Sequence, residues 1–329
     1  MKYLIASMLA VALFACGKKE KLTGTIERID PAFDALVDSD AKVEVIAEGF
    51  EWSEGPLWLP SANMLIFSDV PTNTIYKWTP EKGKEIYLIP SGYTGNIPRG
   101  GEMGSNGLTL NNEGKLALAQ HGDRRVALMN APLDAPAPNF VALGDHYEGK
   151  KFNSPNDLVF NDKGDVFFTD PPYGLPHQEK DSTREIQFQG VYKASQGKVT
   201  LITDSITRPN GIGFLPGYKT LIVANSDPDK AIWYAYDILE NDSVANARIF
   251  YDATADAKKE RGVPDGFKVD SQGNIFSSGP GGLWIMNKDG KVLGKIKLSE
   301  ATSNCALSPD EKTLYVTCDM YVARIKLRK

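Results

Sequence analysis

Thr207-Arg208-Pro209-Asn210-Gly211-Ile212-Gly213-Phe214 is the stretch on which the reading of this chain turns. An amide side chain sits between a proline and a glycine. After a short turn comes the apolar run Thr220-Leu221-Ile222-Val223-Ala224-Asn225. Alone this is a loop leading into a β-hairpin, but the chain repeats it. Ser53-Glu54-Gly55-Pro56, Ser105-Asn106-Gly107, Pro155-Asn156-Asp157, Pro264-Asp265-Gly266 and Ser303-Asn304-Cys305 each introduce a short strand, a polar turn and a second strand. The anchors at 54, 106, 156, 210, 265 and 304 recur every 39 to 55 residues. Units of this size that hold several short strands signify propeller blades. One blade cannot bury both faces of its sheet, so neighbours must stack and close into a ring. The expected fold is all-β, a six-bladed β-propeller over residues 43–329.

Equivalent loops of a propeller gather at one end of its channel. Glu54, Asn106, Asn156, Asn210, Asp265 and Asn304 are therefore expected to converge, and every one carries an oxygen donor. Carboxylates and amides around an axis form a hard-oxygen cage suited to Ca²⁺ or Mg²⁺ and tolerable for Mn²⁺ or Zn²⁺. The competing reading is that Asn and Asp before Gly only stabilise a turn. Glu54 speaks against it, because Glu is a poor turn former.

Toward the N-terminus, Met1-Lys2 precedes an apolar run from Leu4 to Phe14, and Leu13-Phe14-Ala15-Cys16 sets a cysteine after a small residue. This has the form of a bacterial lipoprotein signal, residues 1–15, with Cys16 lipidated. The run is too short to span about 30 Å of hydrocarbon. Gly17-Lys18 after the cysteine favours an outer-membrane lipoprotein facing the periplasm, held to the membrane only by its lipid. Residues 16–42 are expected to be a tether with a strand or two on the outside of the first blade. Cys305 and Cys318 flank the Asp310-Glu311-Lys312 turn, so a disulfide closing the last blade is weighed against two buried thiols.

A net charge of -5 without a large Lys/Arg cluster argues against nucleic acid as partner. The three His, at 121, 146 and 177, are too scattered for a zinc motif. The polar, glycine-rich stretch from Ser91 to Gly104 is too long for a simple turn and has the character of a site-shaping loop. Two second-strand exits, at Gln120 to Val126 and Asp170 to His177, are expected at the end opposite the anchors, with the returning chain able to bring side chains back to the channel.

These stretches carry a family likeness. Glu54-Gly55-Pro56, Ser105-Asn106-Gly107-Leu108, His121-Gly122-Asp123-Arg124-Arg125-Val126, Asn153-Ser154-Pro155-Asn156-Asp157, Thr169-Asp170-Pro171-Pro172-Tyr173-Gly174, Arg208-Pro209-Asn210-Gly211 and Pro264-Asp265-Gly266 stand in the expected order. The chain resembles the SMP-30/gluconolactonase/LRE family, most closely its bacterial gluconolactonase-like branch. The resemblance implies a six-bladed propeller with one axial divalent metal, Ca²⁺ first, bound by Glu54, Asn210 and Asp265 and completed by Asn156. It also implies hydrolysis of lactones, usually sugar-derived. Animal members carry an arginine two residues before the Asn156 position, and here Ser154 stands there. Asp265 is the expected base, with a water activated by the metal as the alternative. Asn156, Asn106, His121, Arg124 and Tyr173 are the expected substrate contacts. Kept beside this reading are an esterase using the same site and a non-enzymatic binding propeller with a structural ion. The oligomeric state is left open.

Overall fold

Six antiparallel sheets account for the six repeats in a computed structural model that describes residues 21–328. Blade I consists of Ser53–Leu59, Met64–Asp69, Thr74–Thr79 and Gly83–Leu88. Blade II runs from Ser105–Leu110 to Phe140–Gly144, blade III from Leu158–Phe160 to Lys198–Thr203, and blade IV from Pro209–Phe214 to Val244–Asp252. Blade V comprises Phe267–Val269, Ile275–Gly279, Gly282–Met286 and Val292–Lys297; blade VI begins with Thr302–Leu307, Thr313–Cys318 and Tyr321–Lys326.

The second strand of a blade lies between the faces of both neighbours. That is why Met64–Asp69, Leu116–Gln120, Val166–Asp170 and Ile275–Gly279 are buried at every position. It also explains why they read as short continuous apolar runs rather than alternating ones. The six hydrophobic clusters of the described residues each fill one seam. Ile66 meets Leu118 between blades I and II, and Ala119 meets Phe168 between II and III. Phe167 meets Leu221 between III and IV, and Trp233 meets Trp284 between IV and V. Phe276 meets Val316 between V and VI, and Tyr315 meets Leu65 between VI and I.

The ring is closed by the N-terminal part of the chain. Val43–Glu48 pairs antiparallel with Tyr321–Lys326, which makes it the outer strand of blade VI. Leu22–Thr23 continues that sheet, and Thr25–Arg28 adds to the edge of blade V. Residues 22–42 thus do not lie against the first blade, as the sequence reading had it. Phe33, Leu36 and Val37 are buried in the seam between blades V and VI. The edge strands of those two blades would otherwise be exposed, and pairing removes that liability. The signal segment and Cys16 lie outside the described residues.

One further expectation changes, and one pair of open alternatives is decided. The strand exits lie at the anchor end: Asp69 pairs with Ser53 and Gln120 with Ser105. An antiparallel hairpin returns its second strand to the start of its first. Cys305 and Cys318 are free and buried. Their register explains it: Cys305 faces Val316 and Cys318 faces Thr302, with a bulge between Thr302 and Asn304. The two sulfurs are offset along the hairpin, and the Cys305 thiol donates instead to the Phe276 carbonyl at 3.0 Å.

Candidate active site on the propeller axis

The anchors are held by a hydrogen-bonded ring rather than by isolated turns. Four of them lie within strands: Glu54 in Ser53–Leu59, Asn106 in Ser105–Leu110, Asn210 in Pro209–Phe214 and Asn304 in Thr302–Leu307. Each of these strands has its pairing interrupted next to the anchor. Such irregularities commonly re-aim a side chain beside a site. Hydroxyls then tie one blade to the next. Ser68 donates to the Asn106 carbonyl at 3.0 Å and Thr169 to the Asn210 carbonyl at 2.7 Å. Ser226 donates to the Pro264 carbonyl at 2.7 Å, and Ser303 to the Ser53 carbonyl at 2.6 Å.

In four blades, side chains near the end of the second strand hold the backbone at or just before the anchors. Asp69 accepts from the Glu51 and Trp52 amides, and Asp170 accepts from those of Asn153 and Ser154. Asn225 accepts from the Arg208 amide, and the Ser278 hydroxyl accepts from that of Asp265. The glycines have a steric cause. A Cβ on Gly107 would stand 2.7 Å from the Asn156 carbonyl oxygen, and Gly55 (φ +50°) packs on the Asn106 backbone.

This ring presents a cavity of about 270 Å³, lined by Trp52, Glu54, Glu102, Asn106, Asn156, Tyr173, Arg208, Asn210, Ser226, Val263 and Asp265. Larger surface grooves exist, one at the outer strands of blades III and IV and one beside Tyr93 and the blade II strand exit, but none of the converging anchors lines either. Asn304 falls outside the lining; its side chain accepts from Lys268 Nζ at 3.1 Å and from the Cys305 amide.

The expected substrate contacts divide. Asn106, Asn156 and Tyr173 line the cavity. Arg124 does not; its guanidinium is spent on the carbonyls of Phe152 (2.6 Å) and Thr183 (3.0 Å). His121 does not line it either, being fully buried with its Nδ1 3.4 Å from Glu102 Oε2. The sequence reading missed Trp52, Glu102, Arg208, Ser226 and Val263. A signal for three of them existed: Trp52, Arg208 and Val263 each precede an anchor by two, the spacing that puts side chains on one face of an extended chain.

The electrostatics of the cavity call for a cation. Burial, followed by the charges of Asp157 and Glu102, pushes the Glu54 carboxyl up to about 8. Burial, then Glu54, Glu102 and Asp157, raises Asp265 well above the ordinary carboxylate range. Buried Asn106 Oδ1 and Asp265 Oδ1 have no hydrogen-bond partner. Unpaired buried oxygens and mutually repelling carboxylates are costly unless a positive charge engages them. Among the described residues no three His, Cys, Asp or Glu form a metal cluster. The oxygen set is complete only with its amides, a donor chemistry that suits hard divalent ions. The residues present fit such an ion.

A family model, the SMP-30/Gluconolactonase/LRE-like region, matches residues 52–319. The chain belongs to that family. It is 37% identical over 312 residues to the gluconolactonase of Zymomonas mobilis, covering 93% of this chain and 86% of that protein. It is 25% identical over 270 residues to the pentonolactonase of Haloferax volcanii, covering 80% of each. The solved structure of a Xanthomonas campestris gluconolactonase superposes with a TM-score of 0.81 at 25% identity, covering 94% of this chain and 97% of that one. This family member is a lactone-hydrolysing enzyme.

Proposed function

We propose that the chain hydrolyses a sugar-derived lactone to its aldonic acid in the axial cavity, with one divalent metal, Ca²⁺ first, held by Glu54, Asn156, Asn210 and Asp265. The convergence of buried oxygens at the ring's centre carries this reading. When bound, such an ion would supply Lewis-acid polarisation of the lactone carbonyl. The chain's residues do the rest. Glu54 and Asp265 together carry the charge that balances a divalent ion. Asn156 and Asn210 are neutral oxygen donors that set its position without adding charge. Trp52, Tyr173 and Val263 give the cavity apolar walls, which strengthen every electrostatic contact inside. Asp265, with one carboxylate oxygen free of hydrogen bonds, takes the proton from the attacking water. That proton passes to the ring oxygen as the C–O ester bond breaks, leaving a carboxylic acid and a free hydroxyl.

Metal-stripped protein assayed on a panel of aldonolactones, with Ca²⁺, Mg²⁺, Mn²⁺ or Zn²⁺ restored in turn, tests the reading. Activity absent after chelation and restored by one ion supports it; undiminished turnover in EDTA sinks it. The panel extended to aryl esters separates the esterase reading.

The lipoprotein location is part of this proposal, supported by Leu4 to Phe14 and Cys16 in the sequence. Palmitate labelling that disappears in Cys16→Ser would support it, and a protein released unlabelled into the soluble envelope fraction would refute it.

A further inference from the structure

Glu102 is a cavity carboxylate to which the metal reading gives no task. Glu54 and Asp265 balance the ion, and Asp157 lies outside the cavity lining, its carboxyl raised by burial against the opposing charge of Lys268. Glu102 stays one-third exposed in the cavity wall. It arrives there on the segment from Ser91 to Gly104, which is fastened on both sides. Asn73 Oδ1 accepts from the amides of Ser91 (3.1 Å), Gly92 (2.8 Å) and Tyr93 (3.1 Å). Three residues before Glu102, the Arg99 guanidinium donates to the Gly122 carbonyl at 2.7 Å and to the Gly174 carbonyl. Arg99 thereby straps the segment across the exits of blades II and III. Gly101 (φ +78°) lies so close to Pro176 that a Cβ would stand 3.2 Å from its Cα.

Behind Glu102 stands His121. It is fully buried, and neither ring nitrogen has a hydrogen-bond partner. The carboxylate of Glu102, 3.4 Å from Nδ1, is its one carboxylate neighbour within ion-pair distance among the described residues. A buried imidazole is costly without such a partner. The imidazole thus backs the carboxylate at close range, and Glu102 keeps its exposed part toward the cavity.

We propose that Glu102 reads the hydroxyl groups of a polyhydroxylated lactone, with His121 and Arg99 as positioning residues. The inference rests on the axial cavity being the lactone site. A carboxylate accepts hydrogen bonds from two neighbouring hydroxyls at once, and charged acceptors bind about twice as strongly as neutral ones. Trp52, in the same wall, offers the ring's C–H face an apolar surface.

The test compares D-glucono-1,5-lactone with δ-valerolactone, which carries no hydroxyl. In Glu102→Gln, kcat/KM on the hydroxylated lactone is expected to fall about 10- to 100-fold, mostly through KM, as loss of hydrogen bonds to a charged group implies. On δ-valerolactone it should stay within about 3-fold. Calorimetric binding of a sugar lactam, which is not hydrolysed, should weaken by the same factor as the hydroxylated lactone. His121→Phe, which removes both nitrogens, should raise KM for the hydroxylated lactone alone, and His121→Gln should restore part of it. Equal loss on both lactones, measured at saturating divalent cation, overturns the proposal. If Glu102→Gln does not fold, Glu102→Asp is read in its place. Wild-type protein that hydrolyses neither lactone fails the lactonase reading itself, before any variant is made.

Discussion

Gly211 of blade IV packs directly on the carbonyl oxygen of Asp265 in blade V, so close that a Cβ has no room. The obstructing atom is backbone, which cannot swing aside as a flexible side chain would. Gly211→Ala is therefore expected to spread the ring at the site itself. Overpacking of this kind costs about 1–3 kcal/mol. Chemical denaturation should show that loss, with weaker divalent-cation binding because Asn210 and Asp265 both move. Gly217 offers the control. It has positive φ but nothing near its Cβ position, so Gly217→Ala should destabilise without touching metal affinity.

Phe33 lies in the segment whose sequence reads as a tether, yet it is fully buried and packs on Gly294, where a Cβ would clash with its ring. Phe33→Ala should cost about 3–5 kcal/mol, the usual penalty for emptying a buried aromatic site. A change below about 1 kcal/mol would mean that this segment is dispensable to the seam between blades V and VI.

Phe33 also marks where the sequence stopped being legible. The six blades could be read because each repeats a local pattern, a donor residue followed by a hairpin. The segment around Phe33 repeats nothing, and its partners, Gly294 and the strand Val292–Lys297, lie more than 250 residues away in the chain. Long-range pairing of a single copy leaves no periodic trace. The site shows the same division. Glu54, Asn106, Asn156, Asn210 and Asp265 converge because they share one register position. Glu102 lies in an inter-blade connection, and these differ in length from blade to blade, so repeat logic had no place for it. His121 and Arg124 sit in motifs that do reach the right end of the ring, but burial and backbone carbonyls claim their side chains.

The thiols of Cys305 and Cys318 are both pushed up to about 12 by burial. Thiolate is the reactive form, so both should be inert in the folded protein. A thiol reagent at pH 8 should label neither in native protein lacking residues 1–20, and both once it is unfolded. Reductant should leave the melting temperature unchanged, because the hairpin register keeps the sulfurs apart. A lowered melting temperature in reductant would reveal a bond and overturn that register.

Glu54 and Asp265 share the cavity but should fail differently when neutralised. Glu54 accepts a hydrogen bond from the Gly55 amide at 3.0 Å, which would hold its carboxylate as a scaffold for the proposed ion. Asp265 keeps an oxygen free. Glu54→Gln should lower divalent-cation affinity by at least about 100-fold, the upper end of what even outer-shell changes cost. Its kcat should recover at saturating metal. Asp265→Asn should lose affinity as well, but its kcat should stay about 10²–10⁴-fold down at any metal concentration, because a positioned base contributes on that order. Calorimetric titration with Ca²⁺, set beside kcat measured across the same concentrations, separates the two roles. Full recovery of Asp265→Asn at high metal would remove Asp265 as the base and leave it a ligand alone.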